Sequence, residues 1–368
     1  MRLYFTITLL FIALSLHAQD PSFSQFYANR IYLNPALAAL DPGITVSGNY
    51  RMQWRNVDNG FQTYVATVEI QEPFIRSGFG LSIYQDVQGL PALTTTGAGL
   101  TYAYTLPMER HSVHFGMQAN WFQKTVDFDK IVFSDELDPV YGDIYQTSFD
   151  SGLDRSTYTD FNIGAVWRFK GEIKVGKKRY RDTHNSLGIT LNHATNVFRN
   201  GGSDESLLNL ETPTPPRITV HAGSIIPLAF VGGSKKKTVS ISPNFKYDVQ
   251  GQNVLRTKEN LQVFTYGFYL LYEGIYMGAM YQHKFLVSAP KHTNAFIFSF
   301  GAHIDSNPRE GNKFFIGFSY DANTTGLGTT AGGVYELAFR WTFGKGLTIF
   351  GGSDGRSSRK PMDCYHFF

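Results

Sequence analysis

A period of two governs most of this chain. From Ile44 onward, about fourteen segments of roughly nine or more residues alternate apolar and polar side chains, the length and spacing of tilted strands that cross a bilayer. The clearest is Tyr335 to Phe343: Tyr335, Leu337, Phe339, Trp341 and Phe343 fall on one face, Glu336, Ala338, Arg340 and Thr342 on the other. Phe314, Ile316, Phe318 and Tyr320 oppose Gly317, Ser319 and Asp321 in the same way. So do Phe296, Phe298, Phe300 and Ile304 against Ser299, Gly301, His303 and Asp305, and Val239, Ile241, Phe245 and Tyr247 against Ser240, Ser242, Asn244, Lys246 and Asp248.

Alternation also suits a soluble sandwich, whose apolar face meets a core and whose polar face meets water. Composition separates the two. The chain holds 36 Gly, 31 Phe and 21 Tyr with only 17% charged residues, a poor match to an ordinary soluble domain. Small Gly, Ser or Ala residues alternating with Phe, and Tyr and Trp near strand ends, fit a barrel with interfacial girdles around a polar lumen. The expected fold is all-β: a transmembrane antiparallel β-barrel of about 14 strands, with a short N-terminal helical or irregular segment before it. Arg168, Lys246, Asp248, Lys284, Glu336 and Arg340 then belong inside or near an interface, since a basic side chain facing mid-membrane lipid costs about 2 to 4 kcal/mol.

The connections give an independent test, because bacterial barrels have short periplasmic turns and long external loops. Counted from Ile44, the odd-numbered connections include the two longest, Asp127 to Thr157 and Asn196 to Arg217. Leu106 to Ser112 and Tyr272-Glu273-Gly274 are short even-numbered ones, while Gly171 to Asn185 and Gly232 to Lys237 look longer than the rule allows. An even strand number returns the C-terminus to the periplasm, where the N-terminal segment is expected to begin.

That segment follows an export signal. Met1 and Arg2 precede an apolar run from Leu3 to Leu16, and Ala18 supplies the small residue a signal peptidase needs. Gln19-Asp20-Pro21 ends the run before the roughly 20 residues of a spanning helix. The expected division is a signal peptide at 1–18, an N-terminal periplasmic or plug segment at 19–43, the barrel at 44–344 and a periplasmic tail at 345–368. Within the segment, Asp20 with Pro21 and Asn34 with Pro35 each form a cap-and-proline helix start, and Phe23, Phe26 and Tyr27 share a helical face. Helices this short do not stand alone in water, so both must dock on the barrel's periplasmic mouth or lumen.

Candidate chemistry is sparse. A formal charge of +3, less Arg2 with the leader, makes no case for nucleic acid. Cys364 is the single cysteine and has no placed activating histidine; His366 points away on alternation. His111 and His114 fall on opposite strand faces, and Asp135, Glu136 and Asp138 lack the spacing of a calcium loop. Lys235, Lys236 and Lys237 read as a solvated turn. The expectation is no catalysis, no cofactor and no metal.

The sequence resembles the PorP/SprF outer-membrane proteins of the type IX secretion and gliding machinery. Gln19-Asp20-Pro21, Phe23-Ser24-Gln25-Phe26 and Asn34-Pro35-Ala36 stand in the order of that family's N-terminal signature. Phe314 to Gly328 followed by Gly332-Gly333-Val334-Tyr335-Glu336-Leu337 is a second match, in which Glu336 agrees with the family's Gly-Ser-His-Glu pattern and the Ser and His are replaced. Arg359-Lys360-Pro361, Cys364 and Phe368 resemble its C-terminal ending, with Tyr365-His366 as a departure.

The resemblance implies an outer-membrane barrel that assists secretion or surface anchoring of cargo bearing a type IX C-terminal domain, such as gliding adhesins, and performs no chemistry. Implied partners are that cargo domain, a periplasmic peptidoglycan-binding lipoprotein and other secretion-system components, beside outer-membrane lipid. Partner-binding candidates are Phe23, Phe26, Tyr27, Asn34 and Pro35 in the N-terminal segment and Glu336 and Arg340 on one inward face. The rival from the transport class is a porin or diffusion channel for small solutes.

Overall fold

The computed structural model describes residues 20–57, 60–89, 93–128, 135–138, 140, 142–143, 155–175, 179–198, 214–231, 237–251, 260–286, 293–307, 312–324 and 330–343. The leader, the tail and Cys364 lie outside them. The strands are β1 (Ile44–Gln53), β2 (Phe61–Glu72), β3 (Ser77–Gln88), β4 (Leu93–Pro107), β5 (His111–Thr125), β6 (Arg155–Val175), β7 (Arg179–Asn192), β8 (Arg217–Val231), β9 (Lys237–Gln250), β10 (Leu261–Tyr272), β11 (Ile275–Leu286), β12 (Thr293–Asn307), β13 (Asn312–Asn323) and β14 (Val334–Phe343). Each pairs antiparallel with its chain neighbour, and β1 pairs with β14 from Ile44↔Phe343 to Gln53↔Val334, so the fourteen strands form a closed barrel. Closure leaves no sheet edge in the hydrocarbon, where each unpaired backbone group would cost several kcal/mol, of order 3 or more. Among the described residues, no helix is long and apolar enough to cross a membrane. Two short strands, Leu137–Asp138 and Gly142–Asp143, pair outside the barrel.

Alternation divides inside from outside as the side-chain period requires. In β14, Leu337, Phe339 and Trp341 are 45%, 42% and 48% exposed, whereas Glu336 and Arg340 are 1% and 5% exposed. Phe296, Phe298 and Phe300 face outward and Ser299 is buried. Arg168, Lys246 and Asp248 are buried, and Lys284 is half-buried. The inward face is not wholly polar. Tyr269, Tyr276 and Phe315 also point in and build an apolar cluster with the N-terminal segment.

The long connections, 126–154 and 193–216, share one end of the barrel. The opposite end has 73–76, 108–110, 176–178, 232–236, 273–274 and 308–311. By the loop-length rule the first end is extracellular and the second periplasmic. The expected long connection from Gly171 to Asn185 is not one: β6 runs 21 residues, β7 starts at Arg179, and Val175↔Arg179 closes a short turn. Polar side chains on a strand projecting beyond the lipid hide its alternation. At Glu273 and Gly274 both φ angles are positive (48° and 82°), as a two-residue hairpin turn requires.

Candidate functional site

The lumen is filled by the chain's own start. Residues 20–43 fold inside the barrel and enter β1 at its periplasmic end. Their helical content is smaller than the sequence suggests. Residues 20–29 make bends and turns, closed by Ala28 N–H on Gln25 O at 2.8 Å, so Phe23, Phe26 and Tyr27 do not share a helix face. Helix α1 (Arg30–Leu33) is capped by Asn29, and Asn34 caps the 3-10 turn Pro35–Leu37 with Pro35 in its first turn.

Asp20 caps nothing. Its carboxylate lies 2.8 Å from His193 Nε2 and 3.0 Å from Arg217 Nη1, at the extracellular end, and Gln250 Oε1 accepts from its N–H. The segment therefore starts at the extracellular end and not at the periplasmic mouth. His193 has φ 56°, which turns its ring inward after β7, where Asp160 lies 2.9 Å from Nδ1. Burial alone would lower the His193 pKa, but Asp20 and Asp160 raise it to about 10. Burial opposes ionisation of Asp20, yet His193 and Arg217 hold its carboxyl well below the usual range. This is a permanently ionised latch at neutral pH.

Deeper anchors use wall side chains on plug backbone. Glu336 accepts from Ser24 N–H at 2.8 Å and Gln25 N–H at 3.1 Å. Ser24 Oγ donates to Asp321 at 2.5 Å and accepts from Arg51 at 2.9 Å, and Arg51 lies 3.6 Å from Glu336. Arg340 donates to Tyr27 O at 3.1 Å and Ala28 O at 3.2 Å. Asn34 Nδ2 donates to Ala165 O and Ile189 O at 3.2 and 3.1 Å, bonds that tie the plug to β6 and β7. Lower down, Ala39 N–H donates to Glu69 at 2.5 Å, and Arg30 pairs with Asp41 at 2.6 Å. Gly116 and Gly164 let this backbone lie on the wall, because a Cβ at either would overlap Pro35–Ala36 or Asn34. Phe26, Tyr27, Leu37 and Leu40 complete the cluster with Tyr269, Tyr276 and Phe315.

The plug leaves unequal space at its two ends. The extracellular side keeps a vestibule of about 550 Å³ between β2–β6 and the plug, with Tyr84, Asn120, Phe122, Tyr158 and the latch on its walls. The periplasmic side keeps about 150 Å³ around Leu40, His114 and Arg168. Rings climb the vestibule wall: Tyr32 stacks on Tyr84 at 6.3 Å, Tyr84 meets Phe122 edge-on at 6.1 Å, and Phe122 meets Tyr158 at 5.4 Å.

All seven partner-binding candidates lie inside this assembly, and Phe23, Phe26, Tyr27, Asn34, Glu336 and Arg340 are each at most 5% exposed. Pro35 is buried in the 3-10 turn. With the plug seated none offers a surface to another protein; Glu336 and Arg340 contact the plug. No local motif marks Asp20, His193 and Arg217 as a group, since residues so distant in the chain meet only after the barrel closes. His111 stacks outside on Trp167 at 5.9 Å, and His114 is buried against Thr105 and Ser112. Among the described residues, no group of three or more His, Cys, Asp or Glu side chains is placed to hold a metal. Lys235 and Lys236 lie outside the described residues.

A closed, internally plugged barrel does not by itself say which system it serves. Residues 15–341 match the family described as type IX secretion system membrane protein PorP/SprF. The chain belongs to the PorP/SprF family. It is thus a type IX secretion membrane component, and its closed barrel places it in the outer membrane. No curated protein matches the PorP/SprF chain significantly. Among solved structures it is similar to a Pseudomonas aeruginosa FadL homologue at 13% identity, covering 90% of this chain and 95% of that one with a TM-score of 0.40. CdiB from Acinetobacter baumannii follows at 9% identity, 82% and 59% coverage and a TM-score of 0.42. BamA from Haemophilus ducreyi gives 8% identity, 82% and 70% coverage and 0.36.

Proposed function

We propose that this barrel assists secretion or surface anchoring of cargo bearing a type IX C-terminal domain, such as a gliding adhesin, by acting as a docking protein and not as a conduit. The observation that carries this reading is the plug, held by Glu336, Arg340 and Asn34 across the lumen. A diffusion channel for small solutes needs a continuous aqueous path, and a lumen packed with Phe26, Tyr27, Leu37 and Phe315 speaks against one. Docking falls to the extracellular face, where the vestibule has the size of a ligand pocket, large enough for a segment and too small for a folded domain. The short turns at the other end are the surface available to a peptidoglycan-binding lipoprotein. The leader at 1–18 would deliver the chain for insertion, and the reading assigns it no catalysis.

The test is affinity capture of the full-length protein from cells in mild detergent with mass spectrometry, alongside planar-bilayer recording. The expected result is an exported protein with a type IX C-terminal domain in the capture and no steady conductance. Open conductance with no such protein would replace this reading with the channel.

A further inference from the structure

Two rungs of the wall meet in the extracellular vestibule. In the outer rung Tyr84 pairs with Gly97, Gly97 with Phe122 and Phe122 with Tyr158; one rung deeper, Ser82 pairs with Gly99, Gly99 with Asn120 and Asn120 with Asp160. Both rungs line the cavity. The two glycines are the reason it exists. They take inward positions of β4, and a Cβ at Gly97 would overlap the Phe122 ring, while one at Gly99 would overlap Asn120 Oδ1 and Ser82 Oγ. Thr96-Gly97-Ala98-Gly99-Leu100 thus strips the wall of side chains on its inner face alone, and a ring and an amide from β5 lie against the bare backbone.

The polar groups around this recess divide by charge. The charged ones are matched: Asp20, Asp160, His193 and Arg217 pair among themselves, and Asp86 accepts from Thr63 and Gln88. The neutral ones are not. Asn120 is only 8% exposed and lines the cavity, and its amide has no hydrogen-bond partner among the described residues. Asn29 Nδ2 on the plug and Thr214 Oγ1 ahead of β8 are buried without a partner as well, and both residues line the same cavity. Buried polar groups are rarely left unmet, so three of them around one cavity point to a ligand.

We propose that the vestibule is a saccharide site, which takes neutral sugar units of a glycan by stacking on Tyr84 and Phe122 and by hydrogen bonds to Asn120 and Asn29. The lining sets three demands on its occupant. It must carry no charge, since the charged groups are already paired; it must offer hydroxyls or amides, since an Asn amide both donates and accepts; and it must present an apolar face to the rings. A sugar ring meets all three, with C–H groups on one face and hydroxyls round its edge. An extended polypeptide seeks a strand edge, and here β3, β4 and β5 are paired to one another through the recess. An acyl chain would leave the Asn120 amide and the latch ions facing hydrocarbon. About 550 Å³ suits a short saccharide. The proposal goes beyond the docking reading and stands without it.

The test uses the full-length protein in a detergent without a sugar headgroup, on a printed array of neutral glycans and in saturation-transfer NMR with lactose and diacetylchitobiose as probes. Expected are binding to at least one neutral glycan, saturation strongest on the C–H protons of one sugar face, and affinity reduced roughly tenfold or more by Asn120→Leu and by Phe122→Leu. Leu100→Ala, on the lipid face, should change nothing. Silence of the wild type across the array and with both probes overturns the inference without recourse to a variant, as does equal binding by a folded, heat-modifiable Asn120→Leu barrel. Two arms separate the sources of the sugar. Protein-free polysaccharide from the cell surface that binds the wild type and not Asn120→Leu places the glycan on the surface; an exported protein whose capture is lost after mild periodate treatment places it on the partner. Capture that withstands periodate and is lost with Asn120→Leu means that polypeptide fills the vestibule, and the inference falls. A wild-type capture with no exported protein defeats the docking reading alone and leaves sugar binding standing.

Discussion

The wall and the plug satisfy the same backbone in opposite ways. In the wall, N–H and C=O groups along the ladders meet a neighbouring strand, and side chains are free to alternate between lipid and lumen. In the plug, helix α1 and the 3-10 turn pair only a few of the segment's backbone groups with one another, so wall side chains meet others. Glu336 and Glu69 accept from the N–H groups of Ser24, Gln25 and Ala39, while Arg340 and Thr190 donate to the carbonyls of Tyr27, Ala28 and Leu33. A segment of little regular structure is thereby held in one conformation inside a membrane protein, because buried backbone groups must be paired somewhere. The lumen charges are the plug's missing secondary structure.

The largest expected effect separates the two regions outright. Removal of 21–40 leaves every strand ladder intact and takes away only the plug, so the variant should insert as a heat-modifiable barrel and conduct steadily in planar bilayers, where the wild type should be silent. Water would then solvate Glu336 and Arg340. If the variant fails to assemble, wall and plug are not separable and the plug is part of the barrel's folding.

This contrast also explains what could be read in advance. The wall was legible because a strand states its orientation every two residues, and lipid punishes exceptions; the Tyr335 to Phe343 faces follow from that alone. Asn34-Pro35 was legible as a cap because the motif is local. Asp20-Pro21 has the same local signature and does something else, since His193 and Arg217 compete for the carboxylate once the barrel brings them near. Phe315, Tyr269 and Tyr276 were hidden too. An aromatic residue on an inward position looks like a break in alternation until something apolar, here Phe26 and Tyr27, is known to lie against it.

A smaller effect tests whether the lumen charges act through the plug. Glu336→Leu takes the acceptor from Ser24 N–H and Gln25 N–H in a buried site and leaves Arg51 with Asp321 as its carboxylate partner. Removing one partner of such a buried network costs about 3 to 5 kcal/mol. Native-state hydrogen exchange at Ser24 and Gln25 should accelerate by roughly two to four orders of magnitude, the equivalent of that energy, with the exchange of β-ladder amides far from β14 unchanged. Equal acceleration throughout the barrel would mean that Glu336 stabilises the wall itself.

The smallest expected effect concerns the latch at the plug's start, and its sign follows from the two shifted groups. His193 has its pKa raised to about 10 by Asp20 and Asp160 against the cost of burial, so its contribution is complete below its unfolded value of roughly 6.5 and disappears as pH rises through about 10. Asp20 is held low by His193 and Arg217 despite burial, so its contribution is complete above roughly 4 and fades as pH falls further. Protection of residues near Asp20 from a protease added outside should therefore stay flat from about pH 5 to 6.5, decline progressively between about pH 6.5 and 10, and fall again at the acid extreme. His193→Gln removes the charge and should abolish the alkaline step while Glu336 and Arg340 keep the rest of the plug seated. Arg110 and Glu172 supply the comparison, an ion pair whose side chains are 57% and 44% exposed on the periplasmic side. Solvent screens it, and Arg110→Ala should leave the protease profile as it was. An alkaline step that survives His193→Gln would assign the release to another group and leave the latch as simple packing.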